Sequence, residues 1–214
     1  MEQPYFVFFA TKNGIVKKTM LEEFANIRKD GIIAINIESE DKLIGVQRTS
    51  GNNQIVLITK NGQSIRFSED DVRPTGRNTI GVKGIELEEN DAVVTLSIVV
   101  PGSTLLVVGE NGIGKRTDFA EYRLQSRGGK GVITMKTTDK TGVVVGALPV
   151  KDDDEVMLIT EKGKMVRIPV KDIRETGRAT QGVKLIELAE EDKLQAIAPV
   201  INEDKNEENQ NSAS

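Results

Sequence analysis

Cysteine, histidine and tryptophan are all absent from the 214 residues, and aromatic residues make up only 4%. Without cysteine no disulfide can form. Without cysteine and histidine together, the common zinc, haem and iron–sulfur sites are excluded. Serine–histidine and cysteine–histidine catalysis fall with them. No apolar run approaches the roughly 20 residues that span a bilayer. Residues 1–20 do not read as a signal peptide, because Lys12, Lys17 and Lys18 interrupt the apolar stretch. The expectation is a soluble, cytoplasmic protein that needs no cofactor.

What is present is a pattern said four times. A short apolar run, an Asn-Gly or Lys-Gly turn and a basic strand recur at Gly14, Gly62, Gly112 and Gly163, in steps of 48, 50 and 51 residues. Four residues past each glycine stands a positive charge: Lys18, Arg66, Arg116 and Arg167. A fixed period of this size marks a modular array. A charge at one phase of an array is expected to become a row of charges in space.

The net charge of −4 hides this segregation. Residues 202–214, rich in Asn, Glu and Ser, carry −3 of it and read as a disordered acidic tail. In the body, the stretches 14–31, 62–84, 112–131 and 163–184 carry +1, +1, +3 and +4, nine in all. The complementary stretches carry −10. Lys17–Lys18, Arg66, Lys115–Arg116 and Arg167 share one strand position; Arg77, Arg127 and Arg178 share a second, four residues before Gly81, Gly131 and Gly182. In the first repeat Ile27 takes that second place and Arg28 follows it.

Residues 54–100 show what one repeat should look like. Ile55–Thr59 is β-branched and apolar, a strand buried on both faces. Asn61-Gly62 signals a tight hairpin of type I′. Gln63–Phe67 alternates polar and apolar, 68–72 suits a single helical turn, and Arg73–Ile80 is a loop punctuated by Pro and Gly. Val82–Leu87 and Ala92–Val99 are two further strands. The other third strands are expected at Ile32–Ile37, Val132–Lys136 and Val183–Leu188. About sixteen strands result, four to each fifty-residue repeat, which is the content of a propeller-like blade.

In the third repeat the loop before the second glycine reads Gln125-Ser126-Arg127-Gly128-Gly129-Lys130-Gly131. Three glycines in four positions permit successive N–H groups to face one anion, with Arg127 and Lys130 flanking them. It is not a Walker A loop, because no Ser or Thr follows Lys130.

These repeats resemble the C-terminal domain family of bacterial DNA gyrase A, with the corresponding domain of topoisomerase IV as a close relative. The segments that carry the resemblance are 8–19 (FFATKNGIVKKT), 23–31 (EFANIRKDG), 76–87 (GRNTIGVKGIEL), 111–117 (NGIGKRT), 121–132 (EYRLQSRGGKGV) and 177–186 (GRATQGVKLI). The resemblance covers residues 5–201. It implies an all-β, propeller-like pinwheel of four-stranded blades over 1–201, with repeats at about 5–53, 54–103, 104–154 and 155–201. The family's array usually has six blades, so four repeats form a partial or open array, and they are similar to the later ones. Gln125–Gly131 resembles the family's Q-R-R-G-G-R-G box, with Ser126 in place of one Arg, but sits in the penultimate repeat rather than the first.

The resemblance also implies a role. It is a DNA-binding and DNA-wrapping domain of a type IIA topoisomerase, itself without the catalytic tyrosine and ATPase parts, that directs negative supercoiling in its parent enzyme. Tyr5 and Tyr122 are not read as the nucleophile. The implied partners are double-stranded DNA, the remaining domains of gyrase A and the ATPase-bearing gyrase B, in a bacterial, nucleoid-associated setting. Candidate DNA contacts are Lys17, Lys18, Arg66, Arg77, Lys115, Arg116, Arg127, Gly128, Gly129, Lys130, Arg167 and Arg178. A propeller-like protein-interaction scaffold is the alternative. It calls for aromatic or Met anchors on one face, and the sequence offers few.

Overall fold

The computed structural model describes residues 4–201, so the acidic tail at 202–214 lies outside the described residues. The described residues form fifteen strands: β1 (Phe6–Thr11), β2 (Ile15–Met20), β3 (Leu43–Thr49), β4 (Gln54–Thr59), β5 (Gln63–Ser68), β6 (Val82–Lys83), β7 (Val93–Ile98) and β8 (Thr104–Gly109), then β9 (Ile113–Asp118), β10 (Val132–Ile133), β11 (Val144–Val150), β12 (Glu155–Thr160), β13 (Met165–Pro169), β14 (Val183–Lys184) and β15 (Leu194–Pro199). One-turn 3₁₀ helices follow the second strand of each repeat, at Leu21–Phe24, Glu69–Asp71, Phe119–Glu121 and Val170–Asp172.

The hairpins β1–β2, β4–β5, β8–β9 and β12–β13 close at Gly14, Gly62, Gly112 and Gly163, whose φ values are 82°, 85°, 76° and 83°. Only the glycine of each turn has positive φ, and its N–H donates three residues back, as Gly62 does to the Thr59 carbonyl (3.1 Å). This is a type I turn followed by a left-handed glycine, not the type I′ turn that Asn-Gly suggests. The hydroxyls of Thr11, Thr59 and Thr160 accept the N–H groups of Ile15, Gln63 and Lys164 and lock three of the turns.

The sheets run β3-β1-β2-β6, β7-β4-β5-β10, β11-β8-β9-β14 and β15-β12-β13. The third strand of each repeat therefore leaves its own blade. β6 of the second repeat pairs with β2 of the first, β10 with β5, and β14 with β9. This corrects the expectation that one repeat makes one blade. The third strands are also shorter than expected, two residues each, and residues 32–37 form no ladder. A segment that crosses to a neighbouring sheet pairs only where the two edges meet.

β3, β7, β11 and β15 touch in series and form the inner side of the array; the exchanged strands form the outer edge. The core lies between blades rather than within them. Phe8 and Ala10 face Ile55, Leu57 and Ile85; Val56 and Ile58 face Leu105, Val107 and Met135; Leu106 and Val108 face Val156, Leu158 and Ile186. Each fully buried Val, Leu or Ile contributes about 1.5–3 kcal/mol, so every blade is stabilised chiefly by its neighbours. No helix among the described residues is long and apolar enough to cross a membrane.

Candidate nucleic-acid interface

In the first three repeats, the charge four residues after the hairpin glycine lies inside the joint between blades. Lys18 is 3% exposed, and its Nζ donates to the Glu69 carbonyl (2.9 Å) with the Glu69 carboxylate 3.8 Å away. Arg66 donates through Nε to Gln54 and through Nη1 to the carbonyls of Phe119 (2.6 Å) and Tyr122 (3.0 Å). Arg116, 8% exposed, donates through Nε to the Ile173 carbonyl (2.7 Å) and pairs with Asp152. Each cation of one repeat thus reaches the one-turn helix of the next. The Tyr122 and Ile173 carbonyls stand just past their one-turn helices, where a charged donor satisfies a terminal carbonyl strongly. Arg167, in the last repeat, is exposed and pairs with Glu155 of its own blade.

Lys17 and Lys115 go deeper still. Lys17, 1% exposed, donates to the Ala34 carbonyl (2.8 Å) and to the Arg77 carbonyl. Lys115, fully buried, donates to the Gly177 carbonyl (2.8 Å) and to the Arg178 carbonyl. Burial lowers the pKa of both, that of Lys115 to about 8, against the opposing pull of Glu23 and Glu121 respectively. Burial likewise lowers that of Arg66, with Asp118 opposing. The sequence reading put Lys17, Lys18, Lys115 and Arg116 on an outer rim; the structure puts them beneath it. A residue recurs at one phase because the joint recurs, and a joint is an interior.

Arg77, Arg127 and Arg178 are half-buried straps over the same joints. Through Nη1 they hold the Ile33 carbonyl (2.9 Å), the Lys83 carbonyl (2.9 Å) and the Ile133 carbonyl, each in the exchanged segment of the preceding repeat. Their backbone N–H groups donate to Glu23, Asp71 and Glu121, the last residue or last but one of the preceding one-turn helix. The glycine loop of the third repeat is built for this contact. Gly128 has φ 83° and its N–H donates to the Gly84 carbonyl (2.7 Å); the N–H groups of Gln125 and Arg127 are taken by the Arg66 carbonyl and Asp71. A Cβ on Gly131 would collide with the Ser64 carbonyl. Gly131 allows close approach to the preceding blade, and of the glycines expected to turn an N–H toward an anion, Gly128 already spends its own on that blade. Lys130 is exposed.

A third set went unnoticed in the sequence. Arg73, Arg123 and Arg174 each stand 11 residues after a hairpin glycine, and all three are exposed. None of their side chains has an ion-pair or hydrogen-bond partner among the described residues. Their positions are fixed by short parallel bridges, Lys18 to Pro74, Arg66 to Leu124 and Arg116 to Glu175. Beside these, Thr75, Gln125 and Thr176 donate N–H bonds of 2.8–2.9 Å to the preceding blade. Three guanidinium groups therefore recur at one place on successive outer edges, joined by exposed Lys83 and Lys130. Their equal spacing was the available signal. An exposed guanidinium offers a planar fork of donors matched to phosphate, and phosphate contacts carry no base information. Tyr122 is buried in the second joint, where it shares a hydrogen bond with Thr134 (2.7 Å), and burial raises its pKa. Tyr5 sits just ahead of β1 under the Arg48 guanidinium.

Comparison with known proteins agrees with this architecture. The family model described as DNA gyrase C-terminal domain, beta-propeller, matches residues 5–50, 53–99, 103–151 and 154–201. The DNA gyrase A protein of Deinococcus deserti is 46% identical over 209 residues, covering 95% of this chain and 26% of that protein. The gyrase A protein of Escherichia coli is 46% identical over 206 residues, covering 95% of this chain and 24% of that one. The chain thus spans about a quarter of the length of the curated relatives it matches. Among solved structures, the C-terminal domain of DNA topoisomerase IV superposes with a TM-score of 0.89 at 28% identity, covering 98% of this chain and 66% of that one. The DNA gyrase A C-terminal domain gives 0.85 at 28% identity, covering 93% and 67%.

Proposed function

Because the chain belongs to the DNA gyrase C-terminal domain family, we propose that its outer edge binds and bends double-stranded DNA as the wrapping domain of a type IIA topoisomerase. The observation that carries this reading is the row of exposed Arg73, Arg123 and Arg174 at one station on successive blades. Lys83, Lys130 and Arg167 extend it, and the outer nitrogens of the half-buried Arg77, Arg127 and Arg178 lie beneath. Binding draws its free energy from counterion release, with a log–log salt slope of about −0.9 per phosphate neutralised. Sequence preference follows bendability, since a 40–90° bend costs on the order of 1–6 kcal/mol. Lys17, Lys18, Arg66, Lys115, Arg116, Gly128 and Gly129 act indirectly, by fixing the pitch between blades on which the row depends.

The domain performs no chemistry of its own. Its working unit is the pinwheel of repeats at 5–53, 54–103, 104–154 and 155–201. It lends direction to negative supercoiling in a holoenzyme with the rest of gyrase A and the ATPase-bearing gyrase B, on the bacterial nucleoid in the cytoplasm. Replacing Arg73, Arg123 and Arg174 together by Ala should flatten the salt slope of duplex binding by about 2.7, three contacts at 0.9 each. Fluorescence anisotropy between 50 and 200 mM salt reads this out, and an unchanged slope refutes it. Relaxing a plasmid with topoisomerase I in the presence of the chain tests wrapping. A shift in linking number supports it, and binding without a shift reduces the role to a passive basic surface.

A further inference from the structure

Asn-Gly closes three of the four hairpins, at Asn13, Asn61 and Asn111. An asparagine side chain beside glycine can react with its own backbone, because the glycine carries no side chain to shield its amide nitrogen. Asn61 and Asn111 lie in the two middle blades, each with a neighbouring blade on both sides, so their surroundings are directly comparable. In both turns the reacting nitrogen starts from the same place. The Gly62 N–H donates to the Thr59 carbonyl (3.1 Å), and the Gly112 N–H to the Gly109 carbonyl (3.0 Å).

The two side-chain amides differ. Asn111 is half-buried, and its Nδ2 donates to the Asp139 carbonyl (2.8 Å). Asn61 is exposed, and its side chain makes no hydrogen bond among the described residues. Only its main chain is held: the N–H donates to Asp91 Oδ1 (3.0 Å), and the carbonyl accepts from Thr137 Oγ1 (3.2 Å). The Thr59 hydroxyl, which has no counterpart at Gly109, fastens the Gln63 N–H (3.1 Å), one residue beyond the nitrogen that reacts.

Asn61 also stands where the second joint is fastened. The Gly62 carbonyl accepts the Thr134 N–H of the exchanged segment (2.8 Å), and a Cβ on Gly62 would lie 2.1 Å from the Met135 carbonyl oxygen. A longer main chain at this turn has no room. A carboxylate at position 61 would in addition stand beside Asp91, whose side chain holds the turn, and like charges that close repel.

We propose that Asn61 is a site of spontaneous conversion to aspartate and isoaspartate, and that the conversion loosens the joint between the second and third blades. The Gly62 nitrogen forms a bond to Asn61 Cγ, and the side-chain amide leaves as ammonia, taking the proton of the Gly62 N–H. Water then opens the five-membered imide at either carbonyl. Opening at the main-chain carbonyl routes the backbone through the side chain and lengthens it by one methylene. Asn111 is the guarded counterpart, because its amide must first leave Asp139.

Incubation at pH 8, folded in buffer and unfolded in urea, tests this, with both asparagines followed by peptide mass spectrometry and enzymatic methylation of isoaspartate. The urea rates give each asparagine its own reference. Relative to that reference, folded Asn61 should convert faster than folded Asn111 by about two- to tenfold, the factor set by one hydrogen bond that must break first. Hydrogen exchange at the Thr134 N–H should then be faster in the converted chain. Exchange at the Leu185 N–H, which donates to the Gly112 carbonyl in the third joint (2.9 Å), should be unchanged. Asn61→Gln, whose longer side chain would have to close a six-membered ring, should lose the isoaspartate signal at this turn and hold Thr134 exchange constant over the same incubation. Equal normalised rates, an Asn61 that survives folded while the urea sample is fully converted, or Thr134 exchange indifferent to conversion overturns the proposal.

Discussion

Placing alanine at two equivalent turns isolates the stabilising effect of a joint. Gly112 and Gly163 close equivalent hairpins with φ of 76° and 83°. A non-glycine residue in that left-handed region costs about 1–2 kcal/mol at either site. Lower entropy of the unfolded chain returns about 0.4–1 kcal/mol at both. These contributions cancel in the comparison. What differs is the neighbour: a Cβ on Gly112 lies 2.8 Å from Ile186 Cγ2 and 2.9 Å from the Ile186 carbonyl oxygen, whereas one on Gly163 meets nothing. Forcing a carbon into a packed contact of this kind costs about 1–3 kcal/mol. Gly112→Ala should therefore be less stable than Gly163→Ala by that amount, roughly 2–12 °C in Tm for a chain of this size. Urea and thermal unfolding at a concentration where both chains are monomeric measure the difference. Gly62→Ala should fare worst, because its Cβ would press on the Met135 carbonyl itself. Equal losses at Gly112 and Gly163 would refute the claim that the exchanged segment presses on the hairpin turn.

Two further predictions concern buried charge. Glu69 is fully buried and accepts from Thr49 Oγ1 (2.7 Å) and the Asn53 N–H (2.6 Å) beside Lys18. Glu69→Gln leaves the buried Lys18 ammonium without a counter-charge, holding only a main-chain carbonyl and the face of Phe6, and should cost about 3 kcal/mol in urea unfolding. Lys115, lowered to about 8 from 10.5, binds fewer protons folded than unfolded between those values. Stability should therefore rise with pH across that window. Relative to Lys115→Met, the unaltered chain should gain in urea midpoint from pH 8 to pH 10, and a falling difference contradicts the burial.

Three of the four strands in each repeat were legible because they are local. Residues 55–59, Gly62 and 63–67 declare a strand, a turn and a strand within thirteen positions, and β4 and β5 lie there. The third strand was misassigned in length and partner. Val82–Leu87 is apolar enough for a strand, but its mate is β2, 66–68 residues earlier, and nothing in its own residues names that edge. Charge misled for a related reason. Periodicity reveals that an environment recurs without saying whether it is wet. Lys18 and Arg73 are both basic and both periodic, and only the fold separates the buried cation from the exposed one.

Strand exchange also bears on how such an array changes over generations. Every repeat carries a socket for the repeat after it and a plug for the one before. A tandem duplication of one fifty-residue stretch of the gene therefore inserts a blade that fits both neighbours at once, with no compensating substitution. Loss of a whole repeat rejoins halves that already match. A duplication that stops midway, between hairpin and exchanged segment, strands a plug without its socket. Blade number can thus drift by whole units under unequal crossing-over while the interface stays fixed, since the interface is the part being copied.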